Sequence, residues 1–324
     1  MLRWGILSTA RIATQKVIPA LQAGSRHQVT AIASRSADRA EAAARTLGID
    51  RAHASYEALL ADPEVDVVYN PLPNHLHVPW SVRALEAGKH VLCEKPLARS
   101  VAEARPLVEA AAQHPHLQVM EAFMYRFHPQ WLLTQRWLDG GQIGTLRAVH
   151  VTFAYTNLDP ANIRNRPDLG GGALLDIGCY AVSVARLAFG REPERVHACL
   201  DRDPTFGTDR LTSGLLDFGT GHATFTVSTQ ADRFQRAFFL GSRGAVEIEI
   251  PFNAPPDQPC RLRLTCDGHT EEMRTEPTDQ YTAQADHLAN AIEHGTPLAI
   301  SLGDSLATLA VVEQLFAAAP QTSA

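Results

Sequence analysis

Apolar residues fall into two kinds of run along this 324-residue chain, and the kind changes near residue 122. Before that point, short runs of Val, Ile, Leu and Ala alternate with stretches of helical spacing, which predicts strands and helices in regular alternation. The predicted strands are residues 2–7, Val29–Ala33, a short piece at Ala52–Ala54, Val65–Asn70, Val91–Cys93 and Leu117–Glu121. The predicted helices are a pattern running through Leu21, then Ala37–Leu47, Tyr56–Ala61, Val78–Ala87 and Val101–His114. Such alternation argues for a doubly wound parallel sheet. Beyond residue 122 the segments Thr145–Tyr155, His222–Gln230, Arg236–Leu240, Ala245–Ile250, Arg261–Cys266 and Thr270–Thr275 follow one another through short turns. Several alternate apolar and polar residues, the mark of an antiparallel sheet with one covered face.

The fold class expected is therefore α/β: an N-terminal Rossmann-type parallel sheet (1–121), then a C-terminal α+β domain (122–324) with a large, mostly antiparallel open sheet. Helices are expected in the second part at Gln130–Gly140, Ala173–Phe189, Gln280–His294 and Leu302–Ala319. The last two are candidates to pack back on the first domain, so the boundary is not required to be a single cut.

Composition narrows the class further. With 45% hydrophobic and 20% charged residues the chain is globular, and a net charge of -6 gives no basic excess for nucleic acid or an anionic membrane. No apolar run is expected to reach the roughly 18 residues that cross a bilayer. The N-terminus runs straight into a strand pattern, so a cytoplasmic protein is expected. Five cysteines without a CxxC spacing fit reduced thiols, with Cys93 and Cys179 in the core.

Candidate chemistry gathers where strands end. The run Val91–Cys93 delivers Glu94, Lys95 and Pro96 at its carboxyl end, the edge where open α/β sheets keep their ligands. Lys95 is the first catalytic candidate, although a solvated ion pair would read the same way. After the first strand, Ser8-Thr9-Ala10-Arg11-Ile12-Ala13 places small residues at the GxGxxG spacing that lets a backbone approach a pyrophosphate, but with Ser, Ala and Ala for the glycines. After the second strand come Ser34, Arg35 and Arg39, where an NAD-binding domain usually has an acidic residue; hydroxyl and guanidinium suit the 2′-phosphate of NADP, with NAD also possible. The loop Pro71-Leu72-Pro73-Asn74-His75-Leu76-His77 follows another strand on the same rim. His75 and His77 lack further ligands, so no metal is expected and a contact to cofactor or substrate is preferred. In the second half, Gly170-Gly171-Gly172 opens a helix in which Asp176 and Tyr180, four residues apart, share a face. A carboxylate and a phenol there could orient and deprotonate a hydroxyl; an amphipathic helix with a surface aspartate fits the pattern as well.

Together, Gly5–Ala13, Pro71–His77, Glu94-Lys95-Pro96, Glu121–Pro129 and Gly170–Tyr180 resemble the glucose-fructose oxidoreductase/inositol dehydrogenase (Gfo/Idh/MocA) family over essentially the whole chain. The details are most similar to the branch of dimeric dihydrodiol dehydrogenases and NADP-dependent D-xylose dehydrogenases, in which tyrosine stands at position 180. The resemblance implies hydride transfer between a nicotinamide and a sugar, polyol or dihydrodiol carbon, with Tyr180 as acid/base, Lys95 lowering its pKa and Asp176 holding a neighbouring hydroxyl. It also implies Arg126, His128 and His77 at the pocket, Glu94 beside the cofactor, a cis bond before Pro96 and a homodimer or tetramer paired through sheet faces. Two other readings remain open: a lyase or glycosidase with a transient internal redox cycle, and a nucleotide-sensing protein without turnover.

Overall fold

The computed structural model describes residues 1–319. The first sheet is built from β1 (Leu2–Leu7), β2 (His27–Ala33), β3 (Arg51–His53), β4 (Val67–Asn70), β5 (His90–Cys93) and β6 (Val119–Glu121) in the order β3-β2-β1-β4-β5-β6. Every pair is parallel. Order and direction are those of a Rossmann sheet, as the alternation of strands and helices predicts. The crossovers carry α1 (Ile18–Ala23), α2 (Ala37–Leu47), α3 (Tyr56–Leu60), α4 (His77–Glu86) and α5 (Val101–Gln113). Ser36, Ser55 and Ser100 cap α2, α3 and α5 by accepting backbone N–H bonds, which explains why those helices start where the sequence places them. Trp4, Ile6, Val67, Val68, Val91 and Leu92 are buried in the central strands. A parallel sheet covered on both faces needs such continuous apolar runs.

α6 (Pro129–Asp139) precedes the second sheet, which comprises β7 (Leu146–Thr156), β8 (Arg195–Arg202), β9 (Asp209–Asp217), β10 (His222–Ser228), β11 (Gln230–Gly241), β12 (Gly244–Ile248), β13 (Arg261–Cys266) and β14 (His269–Arg274). Their order is β14-β13-β12-β11-β7-β10-β9-β8, antiparallel except for the parallel pair β7 and β10. Strands β8 and β9 were not anticipated. β8, at the edge of the sheet, alternates only through Val196, Ala198 and Leu200, none of them fully buried, and in β9 the buried positions Thr212 and Gly214 are not apolar, so the two together lack the strong alternation of a half-covered strand pair. α7 (Cys179–Phe189) is entered through a π-helical turn at Leu174–Gly178, and α8 (Gln280–His294) and α9 (Leu302–Ala318) follow the sheet.

By compactness the chain groups into Met1–Met124 with Gln280–Leu306, and Tyr125–Asp279 with the stretch from Ala307 on. The α8 segment thus goes with the parallel sheet: Arg26 donates to Asn290 and Glu293, and Thr282 donates to the Ala20 carbonyl. The stretch Pro167–Phe189 does have the length and composition of a bilayer-crossing helix, contrary to the expectation that no run reaches that length. It is 83% buried within the protein, the profile of a core helix. All five cysteines are free, and Cys93 and Cys179 are buried.

Candidate active site

In the parallel-sheet unit, the residues singled out from the sequence come together on one rim because each follows the carboxyl end of a strand. Ser8 follows β1 with a left-handed φ of 78°, a conformation that usually calls for glycine. Its hydroxyl accepts the Ala10 N–H at 3.2 Å, closing the turn. Arg11 and Ile12 begin a helical run that includes a π-helical turn at Ala13–Val17, with Ala13 buried. The left-handed turn, the small residues at 8, 10 and 13 and the helix start directly behind them reproduce what a dinucleotide pyrophosphate requires, so these residues fit an NAD(P) group without the glycines. Ser34 follows β2 and accepts the Ser36 N–H at 3.2 Å, while Arg35 and Arg39 are exposed beside it. No acidic side chain stands at positions 34 to 36.

After β4, the Asn70 side chain organises the loop that holds Pro71 and Asn74, accepting the Leu72 N–H and donating to the His77 carbonyl and to Ser81. The His77 ring is buried between the carbonyl oxygens of Leu72 and Pro96, each 2.7 Å from a ring nitrogen. Burial pulls its pKa down to about 4. His77 therefore ties the loop after β4 to the turn after β5. In that turn, Glu94 accepts the Tyr69 hydroxyl at 2.8 Å, the Lys95–Pro96 bond is cis, and Leu97 N–H donates to Glu121 at 2.7 Å. Burial raises the Glu121 carboxyl to about 7. Lys95 thus sits on a short turn anchored on both sides. Among the described residues no group of three or more His, Cys, Asp or Glu is arranged to hold a metal.

In the second unit, Asp176 lies in the π-helical turn and is 8% exposed. Its Oδ2 accepts the Tyr155 hydroxyl and, at 2.9 Å, the Arg164 Nε–H. Burial, then the neighbouring carboxylate, raises the Tyr155 pKa, so the phenol remains a donor to Asp176. Neither Tyr155 nor Arg164 was picked out from the sequence. Their loop shows why: Asn157, Asp159 and Asn162 fold it through side-chain bonds to nearby backbone N–H groups, and only that folding delivers Arg164 to Asp176. The glycine run is packed rather than loose. A Cβ on Gly171 would stand 2.7 Å from the Arg164 carbonyl carbon and 2.8 Å from the Ile163 oxygen, and Gly172 N–H donates to the Arg164 carbonyl at 2.9 Å.

Tyr180 follows in the first turn of α7, its ring packed against Phe252 at 5.0 Å, Phe153 at 5.7 Å and Tyr125 at 5.7 Å between centroids. Tyr125 in turn shares a 2.7 Å hydrogen bond with Ser183, one turn further along α7. Arg126 lies in the 3-10 turn Met124–Phe127. His128 is fully buried at the start of α6, its Nδ1 accepting the Gln130 N–H, and burial draws its pKa down to about 4. Through Nδ1 its ring caps α6 from the interior.

A Rossmann sheet with a phosphate-type turn, followed by a sheet domain whose helix entry presents a braced carboxylate and a caged phenol, defines a nicotinamide-dependent oxidoreductase scaffold. Residues 2–123 match the oxidoreductase family with an NAD-binding Rossmann fold, and residues 131–247 match the GFO/IDH/MocA C-terminal domain. The chain is 39% identical to the D-xylose 1-dehydrogenase (NADP(+)) 2 of Haloferax volcanii, covering 98% of this chain and 97% of that one. It is 37% identical to the trans-1,2-dihydrobenzene-1,2-diol dehydrogenase of Mus musculus, over 76% of this chain and 74% of that one. The crystal structure of a 3-ketoreductase from Actinomadura kijaniata, in complex with NADP and TDP-benzene, superposes with a TM-score of 0.91 at 34% identity over 98% of both chains. The protein belongs to the Gfo/Idh/MocA family and is an oxidoreductase.

Proposed function

We propose that this oxidoreductase is an NADP-dependent dehydrogenase that moves a hydride between the nicotinamide and a hydroxyl-bearing carbon of a sugar, polyol or dihydrodiol. The observation that carries this reading is the Asp176 carboxylate, held by Tyr155 and Arg164 one turn before the caged Tyr180. A carboxylate braced in this way accepts a hydrogen bond from a substrate hydroxyl without having to reorganise. When bound, the cofactor supplies the hydride acceptor or donor. Tyr180 Oη takes the proton of the reacting hydroxyl, or returns it in the reductive direction. The Lys95 ammonium acts on that phenol by favouring its ionised form. Ser8 to Ile12 hold the pyrophosphate, Ser34, Arg35 and Arg39 the 2′-phosphate, and Pro71, Asn74, His77 and Glu94 border the nicotinamide side. Arg126 and His128 are assigned to the substrate.

NADP, rather than NAD, is supported by the exposed Arg35 and Arg39 beside β2 and by the cofactor of the ketoreductase structure. Substrates of the sugar or dihydrodiol class are supported by the names of the two dehydrogenases. The deciding experiment replaces Tyr180 by Phe and Lys95 by Ala. Each variant is expected to lose at least ~100-fold in kcat while NADPH binding, followed by the fluorescence of the reduced nicotinamide, changes little. Full turnover in either variant would remove these roles.

A homodimer, with a tetramer as the larger alternative, is proposed on the outer face of the second sheet. Phe234 and Leu240 of β11 and Leu211 of β9 are exposed there, with Phe238 stacked on His150 between them. Apolar side chains gathered on one face call for a covering partner. A monomer in sedimentation at micromolar concentration contradicts this. The protein is assigned to the cytoplasm on the same footing.

A further inference from the structure

The first turn of the helix that carries Asp176 and Tyr180 is held by a residue from a distant strand. Asp209, at the start of β9, is 1% exposed, and its Oδ2 accepts both the Leu174 N–H and the Thr212 hydroxyl at 2.7 Å. Its Oδ1 lies so close to Gly172 that any Cβ at that position would overlap it. N–H groups at the start of a helix have no partner within the helix and together favour negative charge, so a carboxylate fixed there sets where the first turn begins and how it is rotated. Leu174, the residue it holds, is two positions before Asp176. The π-helical turn Leu174–Gly178 then hands this orientation on to Tyr180.

We propose that Asp209 is a positioning residue for hydride transfer, holding the entry of this helix so that Asp176 and Tyr180 keep their directions. The inference rests on the assignment of Asp176 and Tyr180 given above. Nothing in the sequence marks Asp209, which stands at the head of a strand that the apolar pattern did not reveal.

The charged surroundings set how the carboxylate responds to pH. Burial raises its pKa to about 6, against the pull of the Thr212 and Leu174 hydrogen bonds and of Arg202 on β8. Other charges near it are paired: Arg210 with Asp201 at 2.9 Å, Arg164 with Asp176 at 2.9 Å and Arg166 with Asp168 at 2.8 Å. Asp203, in the turn before β9, accepts from the Thr205 and Phe206 amides and from Gln230. The folded-state pKa lies above the ordinary aspartate value, so the charged anchor is present above about pH 6 and is lost as pH falls through that value.

The test is the pH profile of kcat from pH 5 to 9 with NADP and a turned-over sugar or dihydrodiol, for the wild type, Asp209→Asn, Thr212→Val and Tyr180→Phe. Asparagine keeps the size and one acceptor but not the charge, so Asp209→Asn is expected to lose roughly tenfold in kcat at pH 8 and to lack the acid limb near pH 6. NADP binding should be unchanged. Thr212→Val removes one donor and leaves the charge, and should shift the acid limb to higher pH by up to about one unit. Should Asp209→Asn fail to fold, that shift decides the matter alone. An acid limb of wild-type position in either variant, or unchanged kcat in a folded Asp209→Asn, overturns the inference. If Tyr180→Phe is inactive while Asp209→Asn behaves as wild type, only the inference about Asp209 fails. If Tyr180→Phe is fully active, the site reading falls and this inference with it.

Discussion

Replacing Arg164 by Ala tests whether the carboxylate at the site depends on its brace. In the protein, Arg164 Nε donates to Asp176 Oδ2 at 2.9 Å, and the arginine side chain is 40% exposed against 12% for the side chain of Asp176. A hydrogen bond to a charged group is worth about 1.5–3 kcal/mol, and exposure on the arginine side discounts this to about 1–2 kcal/mol. If that stabilisation is what keeps Asp176 aimed at the substrate hydroxyl, kcat/KM falls by about 5- to 30-fold. The assay is initial-rate nicotinamide reduction with saturating NADP and varied substrate, with thermal unfolding as the control for folding. Tyr155→Phe removes the other donor to the same oxygen, so the two changes made together should depart from additivity by 0.5 kcal/mol or more. A folded Arg164→Ala enzyme with wild-type kcat/KM, alongside an Asp176→Asn enzyme that has lost activity, would refute the reasoning: Asp176 would then act without the guanidinium.

Cofactor choice should follow the end of β2: Arg35→Ala is expected to weaken NADP binding by about 10-fold or more and to leave NAD binding nearly unchanged, read by titration with each nucleotide. Gly171→Ala should cost about 1–3 kcal/mol in denaturant unfolding and lower kcat/KM as well, because the added methyl displaces the backbone at Ile163 and Arg164; an unaltered midpoint argues against the packed reading of the glycine run. His128 is held neutral by burial, with a folded pKa of about 4 below its unfolded value, so its contribution is complete above about pH 6.5 and declines as pH falls toward 4. Its loss amounts to at most about 3 kcal/mol, and His128→Asn, which keeps a short acceptor for the Gln130 N–H, should flatten stability against pH across that interval.

Much of the parallel-sheet unit was legible because its signals are local. The range of α2 agrees residue for residue with the spacing, since Ser36 caps one end and Gly48 closes the other with a left-handed φ of 65°. Lys95 could be found because a buried strand of four residues must end somewhere, and the chemistry of this fold lies where such strands end. The glycine run and the Asp176–Tyr180 spacing were visible, but their physical sense was not. The glycines were read as the opening of a helix, and their further task is to let the Arg164 backbone pack against that helix entry. Tyr155, Arg164 and Asp209 were missed because each reaches the site through tertiary folding: a strand end, a loop closed by Asx turns and an unanticipated strand. None of these has a periodicity of its own to announce it. His128 was named through a resemblance of sequence, and the structure shows why a histidine beside Pro129 is also a good cap: its Nδ1 reaches the Gln130 N–H at the first turn of α6.

The central claim is net hydride transfer at a hydroxyl-bearing carbon. Its most direct test is the absorbance of reduced nicotinamide when the purified protein is incubated with NADP, or with NAD in parallel, and a panel of aldoses, polyols and trans-dihydrodiols. NADP-dependent reduction is expected with at least one of these groups, abolished by Tyr180→Phe. If no reduced cofactor accumulates with any of them, yet the protein converts a glycoside or carries a tightly bound nucleotide, the dehydrogenase account is contradicted and an internal redox cycle takes its place.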